Sequence, residues 1–258
     1  TFSQLIPLEK YFKEHPEWYS DPMNGYLPCT KNSKMPDREN TDPDLSNPQV
    51  LEEVTKNALE WIAKNPDAGY MSISQNDNNV SYCHCAECAA FTEAEGSPSG
   101  PLLHFVNQVA GRIHEKYPNF LVETLAYHYS EKPPKTVRPA KNVIIRLAPI
   151  ASDFGHPLNS DWNEDTRERL LAWSQISPQL FMWNYVTNFG GNMLPHPNWD
   201  GLAKDLRFFA DNKVIGVFEQ GDAYTNGVGD FVQLRAWLMA KLMWNPNLDL
   251  DAVLDDFY

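Results

Sequence analysis

Short apolar runs alternate with amphipathic segments along most of the chain. Each run stops abruptly at polar or aromatic residues, and most runs are followed by a segment whose apolar positions recur at helical spacing. The run at 214–221, for example, leads from Val, Ile and Phe directly into Glu219 and Gln220. Strands that alternate with amphipathic helices are typical of a parallel α/β fold.

The pattern predicts six strands, at residues 1–7, 69–74, 120–129, 142–150, 180–186 and 214–220. It also predicts helices from Asn47-Pro48 onward and at residues 101–117, 167–176, 199–210 and 231–244. Asn47 is a good N-cap residue, and proline is favoured at the first helical position. A closed TIM barrel has eight strands, so we predict an incomplete (β/α)8 barrel that comprises about strands 3–8.

Size and charge narrow the possible functions. The 258 residues suit a single barrel domain, and the net charge of -13 argues against a nucleic-acid partner. No run of apolar residues is long enough to predict a membrane span. The chain lacks an initiator Met and a signal peptide and ends within a helical pattern, so we expect a domain excised from a longer chain with a domain upstream. Phosphate-loop, dinucleotide and nucleophile-elbow motifs do not occur in it.

Two carboxylates are candidate catalytic groups because of their positions. Asp77 follows the strand at 69–74, and Glu219 ends the last strand. Side chains at the carboxyl ends of barrel strands converge on one face, and glycoside hydrolysis generally uses two carboxylates. The assignment of acid, base and nucleophile stays open. The alternatives are that Asp77 is only a turn residue and that Glu219 forms an ion pair.

Aromatic and amide side chains at the strand ends predict a sugar-binding surface. The predicted substrate-binding residues are Asn76, Tyr127, Tyr129, Trp183, Tyr185, Asn188 and Gln220. Strand alternation predicts that Tyr127 and Tyr129 share one side and that His128 points away. Core packing is the alternative for any single aromatic residue. Glu123 lies inside a strand, where a structural charge pair is expected.

The cysteines form a second candidate site. Cys83, Cys85 and Cys88 follow the pattern C-x-C-x2-C, and Cys29 lies in an earlier loop that is expected on the same face. Four thiolates suit a tetrahedral structural zinc ion, which would tie two long loops together. Disulfides and free thiols are the alternatives, since an exported protein often pairs an even number of cysteines.

Several motifs in this chain resemble those of a known family. They are Ser74-Gln75-Asn76-Asp77-Asn78, Cys83-His84-Cys85-Ala86-Glu87-Cys88, Glu95-Gly96-Ser97-Pro98-Ser99-Gly100, Leu125-Ala126-Tyr127, the segment 183–189 and Phe218-Glu219-Gln220-Gly221. On these residues the chain resembles the bacterial family known as domain of unknown function 4838. That family is similar to glycoside hydrolase barrels of the α-glucuronidase and β-hexosaminidase kind. The acidic pair that commonly closes the fourth strand of β-hexosaminidases is not matched, because Asn76-Asp77-Asn78 contains one acid.

The resemblance implies a carbohydrate-active barrel from a longer, exported bacterial protein, located outside the cell or in the periplasm. We expect a glycosidase that cleaves an O-glycosidic bond of a bacterial, host-derived or plant glycan, with an oligosaccharide or glycoside as its partner. It would use Asp77 and Glu219 and need no cofactor for catalysis. The carboxylate separation would distinguish retention, at about 5–5.5 Å, from inversion, at roughly 6.5–9.5 Å. The alternative is a non-catalytic carbohydrate-binding barrel.

Overall fold

The chain forms two compact units in a computed structural model that describes residues 1–191, 193–221 and 229–258. The first unit comprises Thr1–Arg146 and Ile176–Pro178. The second unit comprises Leu147–Gln175 and Gln179–Tyr258.

The first unit contains most of the helices and a parallel group of strands. Its elements in chain order are α1 (Phe2–Leu5), α2 (Leu8–Tyr11), β1 (Ser20–Asp21), β2 (Leu27–Pro28), α3 (Pro48–Lys64), β3 (Tyr70–Ser72), α4 (Ala86–Glu95), α5 (Ser99–Lys116), β4 (Leu121–Tyr127) and β5 (Val143–Ala148), whose last two residues belong to the second unit. Strand β3 pairs with β4 in parallel, with Met71 opposite Val122, and β5 is the next strand along. Helices α3 and α5 pack together.

Helix α3 shows how local sequence determines these elements. The side chain of Asn47 accepts a hydrogen bond from the backbone amide of Gln49 at 2.9 Å, as predicted for an N-cap. Pro48 occupies the first helical position. The residues that face the core, Val50, Val54, Ala58 and Ile62, are all buried and recur every four residues. The predicted helix start is therefore confirmed.

The prediction of a strand at residues 1–7 is wrong. Residues 2–5 form α1, and Phe2, Leu5 and Ile6 are buried on one side of it. Their spacing is that of a helical face and not that of an alternating strand. The other five predicted strands are present in the structure.

The second unit has α6 (Glu164–Ile176), β6 (Gln179–Tyr185), α7 (Trp199–Asp211), β7 (Val214–Gln220), α8 (Val232–Trp244) and α9 (Leu250–Phe257). Strands β6 and β7 pair in parallel, with Asn184 opposite Glu219. Helix α7 connects these two strands and packs against β7. This is a βαβ unit, the building block of parallel α/β folds.

The predicted fold class is confirmed. The chain has the parallel strands and connecting helices of a partial TIM-type α/β barrel. The described residues contain fewer parallel strands than the eight of a closed barrel. Between β4 and β5 the chain contains only a short 3-10 turn, as predicted. No helix in the described part of the chain is long and apolar enough to cross a membrane.

A buried ion pair joins two strands of the first unit. Glu123 of β4 accepts a hydrogen bond from the guanidinium of Arg146 of β5, and both side chains are largely buried. Burial raises the pKa of Glu123, and the charge of Arg146 opposes that effect. The expected structural pair at Glu123 is therefore confirmed.

Arg146→Met is expected to lower the free energy of unfolding by about 3–5 kcal/mol, because it removes the guanidinium that pairs with the buried Glu123 carboxylate. The matched control is Arg112→Met, which removes an ion pair with Glu52 that is largely exposed, and it should cost at most about 1 kcal/mol. Urea unfolding of both variants measures the difference. Equal losses in the two variants would show that burial does not govern the strength of the Glu123 pair.

Candidate functional site

In the first unit, the carboxyl ends of β3 and β4 bring together Asp77, Tyr127 and His128. The hydroxyl of Tyr127 donates a hydrogen bond to Oδ1 of Asp77 at 2.9 Å. The ring of His128 lies against that of Tyr127, with the centroids 3.8 Å apart. Asp77 is exposed, and the two rings are half-buried. An accessible carboxylate, a phenol and an imidazole therefore share one surface.

The backbone at His128 explains this arrangement. Its φ of 49° lies in the left-handed region, which is uncommon for residues other than glycine. Strand β4 ends at Tyr127, and residues 128–130 form a 3-10 turn. The predicted alternation through Tyr129 is therefore wrong, and His128 lies beside Tyr127. Burial lowers the pKa of His128, while the charge of Asp77 acts in the opposite direction.

The buried carboxylate of Asp42 accepts hydrogen bonds from the two segments that form this surface. Its Oδ1 accepts a hydrogen bond from the backbone amide of Asn76 at 2.9 Å, and its Oδ2 accepts one from the hydroxyl of Tyr129 at 2.9 Å. Burial raises the pKa of Asp42 to about 6, and these hydrogen bonds limit the rise. Asp42 was not predicted as a site residue, because nothing in its local sequence indicates burial.

Asn76 and Tyr129 were predicted to bind substrate, and the structure places both in this buried network. Oδ1 of Asn76 accepts a hydrogen bond from the amide of Ser3 at 3.1 Å, and its Nδ2 donates to the carbonyl of Thr41 at 2.8 Å. Tyr129 uses its hydroxyl on Asp42. These side chains therefore fix the loop that carries Asp77, and their contact with a substrate stays a prediction.

Hydrogen bonds of Gln75 hold the turn after β4 in place. Nε2 of Gln75 donates a hydrogen bond to the carbonyl of Tyr127 at 2.8 Å, and the hydroxyl of Ser130 donates to Oε1 of Gln75 at 2.5 Å. Both Gln75 and Ser130 are fully buried. In the sequence, the one indication that Gln75 belongs to the site is its position directly after an apolar run.

In the second unit, strands β6 and β7 direct alternate side chains to two faces. Asn184 and Glu219 are paired in the register and lie on the face covered by α7. Asp205 of α7 and Asn184 line the same small cavity. The Asp205 carboxylate also accepts a hydrogen bond from the amide of Leu158 at 2.6 Å. The predicted catalytic Glu219 therefore points towards a helix, beside a second carboxylate.

Burial dominates the ionisation of both acids. It raises the pKa of Glu219 to about 8, with a further contribution from the charge of Asp205, while the amide of Asn184 opposes the rise. Burial also raises the pKa of Asp205 to about 7, against the amide of Leu158. The Glu219 residue is partly exposed through its stem, but both carboxylate oxygens are buried and have no hydrogen-bond partner among the described residues. The alternative of an ion pair at Glu219 is therefore wrong.

The opposite face of β6 and β7 carries Trp183, Phe218 and Gln220. Nε1 of Trp183 donates a hydrogen bond to Oε1 of Gln220 at 2.7 Å. The rings of Trp183 and Phe218 meet edge to face, with centroids 4.8 Å apart, and Phe218 is 44% exposed. In a β/α barrel the helices cover the outer face of the strands, so these three side chains lie on the inner face.

Tyr185 and Asn188, the other two predicted sugar-binding residues of this unit, contact nearby residues of the same unit. Tyr185 is buried and stacks on Phe154, with the centroids 5.3 Å apart. Oδ1 of Asn188 accepts a hydrogen bond from the amide of Gly190 at 3.0 Å within a turn. Core packing, the alternative explanation for any single aromatic residue, therefore accounts for the position of Tyr185.

The cysteines are all free thiols. Ligand atoms of Cys83, Cys85, Cys88 and Asp44 lie within 4.8 Å of one another, and Cys29 does not belong to this group. Burial raises the pKa of the Cys29 thiol to about 11, helped by the nearby charge of Asp21. The carboxylate of Asp44 therefore lies with three of the four predicted cysteines, where Cys29 was expected.

Glu219→Gln is expected to flatten the pH dependence of stability. Free Glu and Asp titrate near 4, so between about pH 4 and pH 8 the folded chain keeps protons on Glu219 and Asp205 that the unfolded chain releases. The free energy of unfolding of the unmodified chain therefore falls as the pH rises through this window. The variant should be more stable than the unmodified chain by on the order of 2 kcal/mol at about pH 8, but not at about pH 4.

Urea unfolding across this pH range measures the effect. Asp205→Asn should act in the same direction. Asp200→Asn is the matched control on the same helix, because Asp200 is largely exposed beside Lys204. If Glu219→Gln follows the profile of the control, the burial of the Glu219 carboxylate does not determine its protonation.

Comparisons with known proteins place the chain in a family. The family described as Domain of unknown function (DUF4838) matches residues 1–258. The comparison with curated proteins found no match. Among solved structures, the chain is similar to a GH18 chitinase from Pseudoalteromonas aurantia, with 12% sequence identity and a TM-score of 0.38, over 75% of this chain and 69% of that one. Because the family match covers the whole sequence, this chain belongs to the family Domain of unknown function (DUF4838).

Proposed function

We propose that the chain is a glycoside hydrolase domain that cleaves an O-glycosidic bond and that Asp77 is a carboxylate that contacts the sugar. The observation that carries this proposal is the accessible Asp77, oriented by the hydroxyl of Tyr127 at the carboxyl ends of parallel strands. Catalytic groups of β/α barrels lie at these strand ends. Carboxylates are the usual catalytic groups of glycoside hydrolysis.

The neighbours of Asp77 support this role. A carboxylate beside the sugar ring stabilises positive charge at the reacting carbon or activates the attacking group. Tyr127 holds Oδ1 in place, which fixes the direction of the carboxylate. His128, whose pKa is lowered, is a neutral imidazole near pH 7 that can accept or donate a hydrogen bond to a sugar hydroxyl.

Glu219 remains the proposed proton donor because of its raised pKa. A general acid must be protonated at the working pH, and a pKa of about 8 meets that need. Its oxygens, however, are buried on the face covered by α7, where a sugar does not reach them without a rearrangement. A structural role accounts equally well for its pKa, and the variants described below distinguish the two roles.

The proposed substrate class is an oligosaccharide or glycoside, in a bacterial protein that acts outside the cell or in the periplasm. On the open face of the second unit, Trp183 and Phe218 offer aromatic surface and Gln220 an amide. Sugar sites combine aromatic faces with a few polar groups that fix orientation. This face is therefore the proposed sugar-binding surface of the second unit.

A non-catalytic carbohydrate-binding domain is the second candidate, and the buried Glu219 carboxylate favours it. Such a domain would keep the aromatic surface at Trp183 and Phe218 while its carboxylates serve only the fold. It predicts saccharide affinity without turnover.

Asp77→Asn is expected to lower kcat by about 100-fold or more on a cleaved glycoside, with a small change in KM, because the charge is lost and the shape is kept. A panel of glycosides assayed with the full-length protein supplies the substrate. Asp67→Asn is the matched control, since Asp67 is exposed in the turn before β3, at the other end of that strand, and its activity should be unchanged.

Three results would overturn parts of the proposal. Binding of saccharides with no turnover on any glycoside would establish the non-catalytic alternative. Full activity in Asp77→Asn would remove Asp77 from the site. Full activity in Glu219→Gln, together with the altered pH dependence of stability, would assign Glu219 a purely structural role.

A further inference from the structure

Asp44, Cys83, Cys85 and Cys88 form a cluster, here called the thiol cluster, that the proposed function does not use. Their ligand atoms all lie within 4.8 Å of one another. Asp44, Cys83 and Cys88 are buried, and Cys85 is partly so. Asp44 precedes α3, while Cys83 and Cys85 precede α4 and Cys88 lies in its first turn. Two segments that are far apart in the sequence thus direct four potential ligands at one point.

The spacing of these atoms fits a tetrahedral metal site. Oδ1 of Asp44 lies 3.7 Å from Sγ of Cys85 and 3.5 Å from Sγ of Cys88. Zinc binds thiolate sulfur at about 2.3 Å and carboxylate oxygen at about 2.0–2.2 Å, which places sulfur and oxygen about 3.6 Å apart in a regular tetrahedron. The observed distances are those of ligands around one central ion.

Backbone amides donate hydrogen bonds to two of the sulfur atoms. The amide of Cys85 donates to Sγ of Cys83 at 3.4 Å, and the amide of Cys88 donates to Sγ of Cys85 at 3.4 Å. These amides hold the sulfur atoms in position at the amino end of α4. Cys85 is the N-cap of that helix.

Ser46 supplies a second layer of contacts. Its hydroxyl donates a hydrogen bond to Oδ1 of Asp44 at 2.6 Å and lies 3.3 Å from Sγ of Cys85. Outer contacts of this kind orient metal ligands. In the described part of the chain, no ion pair of Asp44 with Lys, Arg or His is found.

We propose that Asp44, Cys83, Cys85 and Cys88 bind one zinc ion in a closed tetrahedral site. Sulfur-rich, four-coordinate sites are typical of zinc, and four protein ligands leave no open position for a substrate. The ion is therefore structural. It joins the segment before α3 to the start of α4.

The position of the site connects it to the loop that carries Asp77. Asp44 lies two residues after Asp42, the carboxylate that accepts the amide hydrogen bond of Asn76. An ion that holds Asp44 also restrains Asp42 and, through Asn76, the backbone next to Asp77. The metal site rests on its own ligands and stands whether or not the chain cleaves glycosides.

Metal analysis of the full-length protein tests the proposal. The protein, produced with zinc in the medium and dialysed, is expected to contain about one zinc ion per chain. Cys83→Ser and Cys88→Ser should lose at least 10-fold in zinc affinity, and Asp44→Ala should weaken it as well. Cys29→Ser is the matched control, a buried cysteine outside the thiol cluster, and it should keep its zinc. Zinc-free unmodified protein, or loss of zinc in Cys29→Ser, would overturn the proposal.

A second measurement needs no variant and so does not depend on how the variants fold. X-ray absorption of the zinc-loaded protein should show three sulfur neighbours and one oxygen neighbour around the ion. Four sulfur neighbours would place Cys29 in the site and exclude Asp44. A disulfide between two of Cys83, Cys85 and Cys88, detected by mass spectrometry of the freshly purified chain, would also refute the site.

Discussion

The hydrogen bonds of the buried Asp42 carboxylate hold together the surface around Asp77. One oxygen takes the backbone amide of Asn76, and the other takes the hydroxyl of Tyr129. These contacts connect the loop after β3 with the turn after β4, and those two segments carry Asp77, Tyr127 and His128. Without this buried acceptor, the donors it satisfies would be left unpaired in the interior, which costs about 1–3 kcal/mol for each. The proposed zinc ion would act on the same segment, through Asp44.

A comparison of Asp42 with Glu219 shows how the surroundings of a buried acid decide its chemistry. Asp42 accepts hydrogen bonds from several donors, which favour its charged form, and its pKa rises only to about 6. For Glu219 the amide of Asn184 alone opposes the effect of burial, another acid lies beside it, and its pKa rises to about 8. Burial acts on both residues. The number of donors and the sign of the neighbouring charge account for the difference.

Periodicity in the sequence predicted the elements well where one face is buried and the segment is long. Helix α3 and strand β6 follow their apolar patterns closely. It failed at residues 1–7, where the three buried residues fit a short helix, and at residues 128–130, where a left-handed backbone at His128 ends the strand. A single unusual φ is set by tertiary packing and leaves no trace in a hydrophobic pattern. The same limit applies to Asp44, whose sequence neighbourhood is that of an ordinary polar turn.

The amino-acid sequence alone indicates the parallel α/β class, the strand ends at which Asp77 and Glu219 lie, and three of the residues in the thiol cluster. These follow from local periodicity and short spacing, which neighbouring residues control. Contacts between distant segments, by contrast, turn Glu219 towards α7, bury Asn76, direct the hydroxyl of Tyr129 at Asp42, and place Asp44 instead of Cys29 in the thiol cluster. Each of these depends on which segments meet across long stretches of chain. Burial and charge in folded proteins arise from such contacts, and no local pattern encodes them.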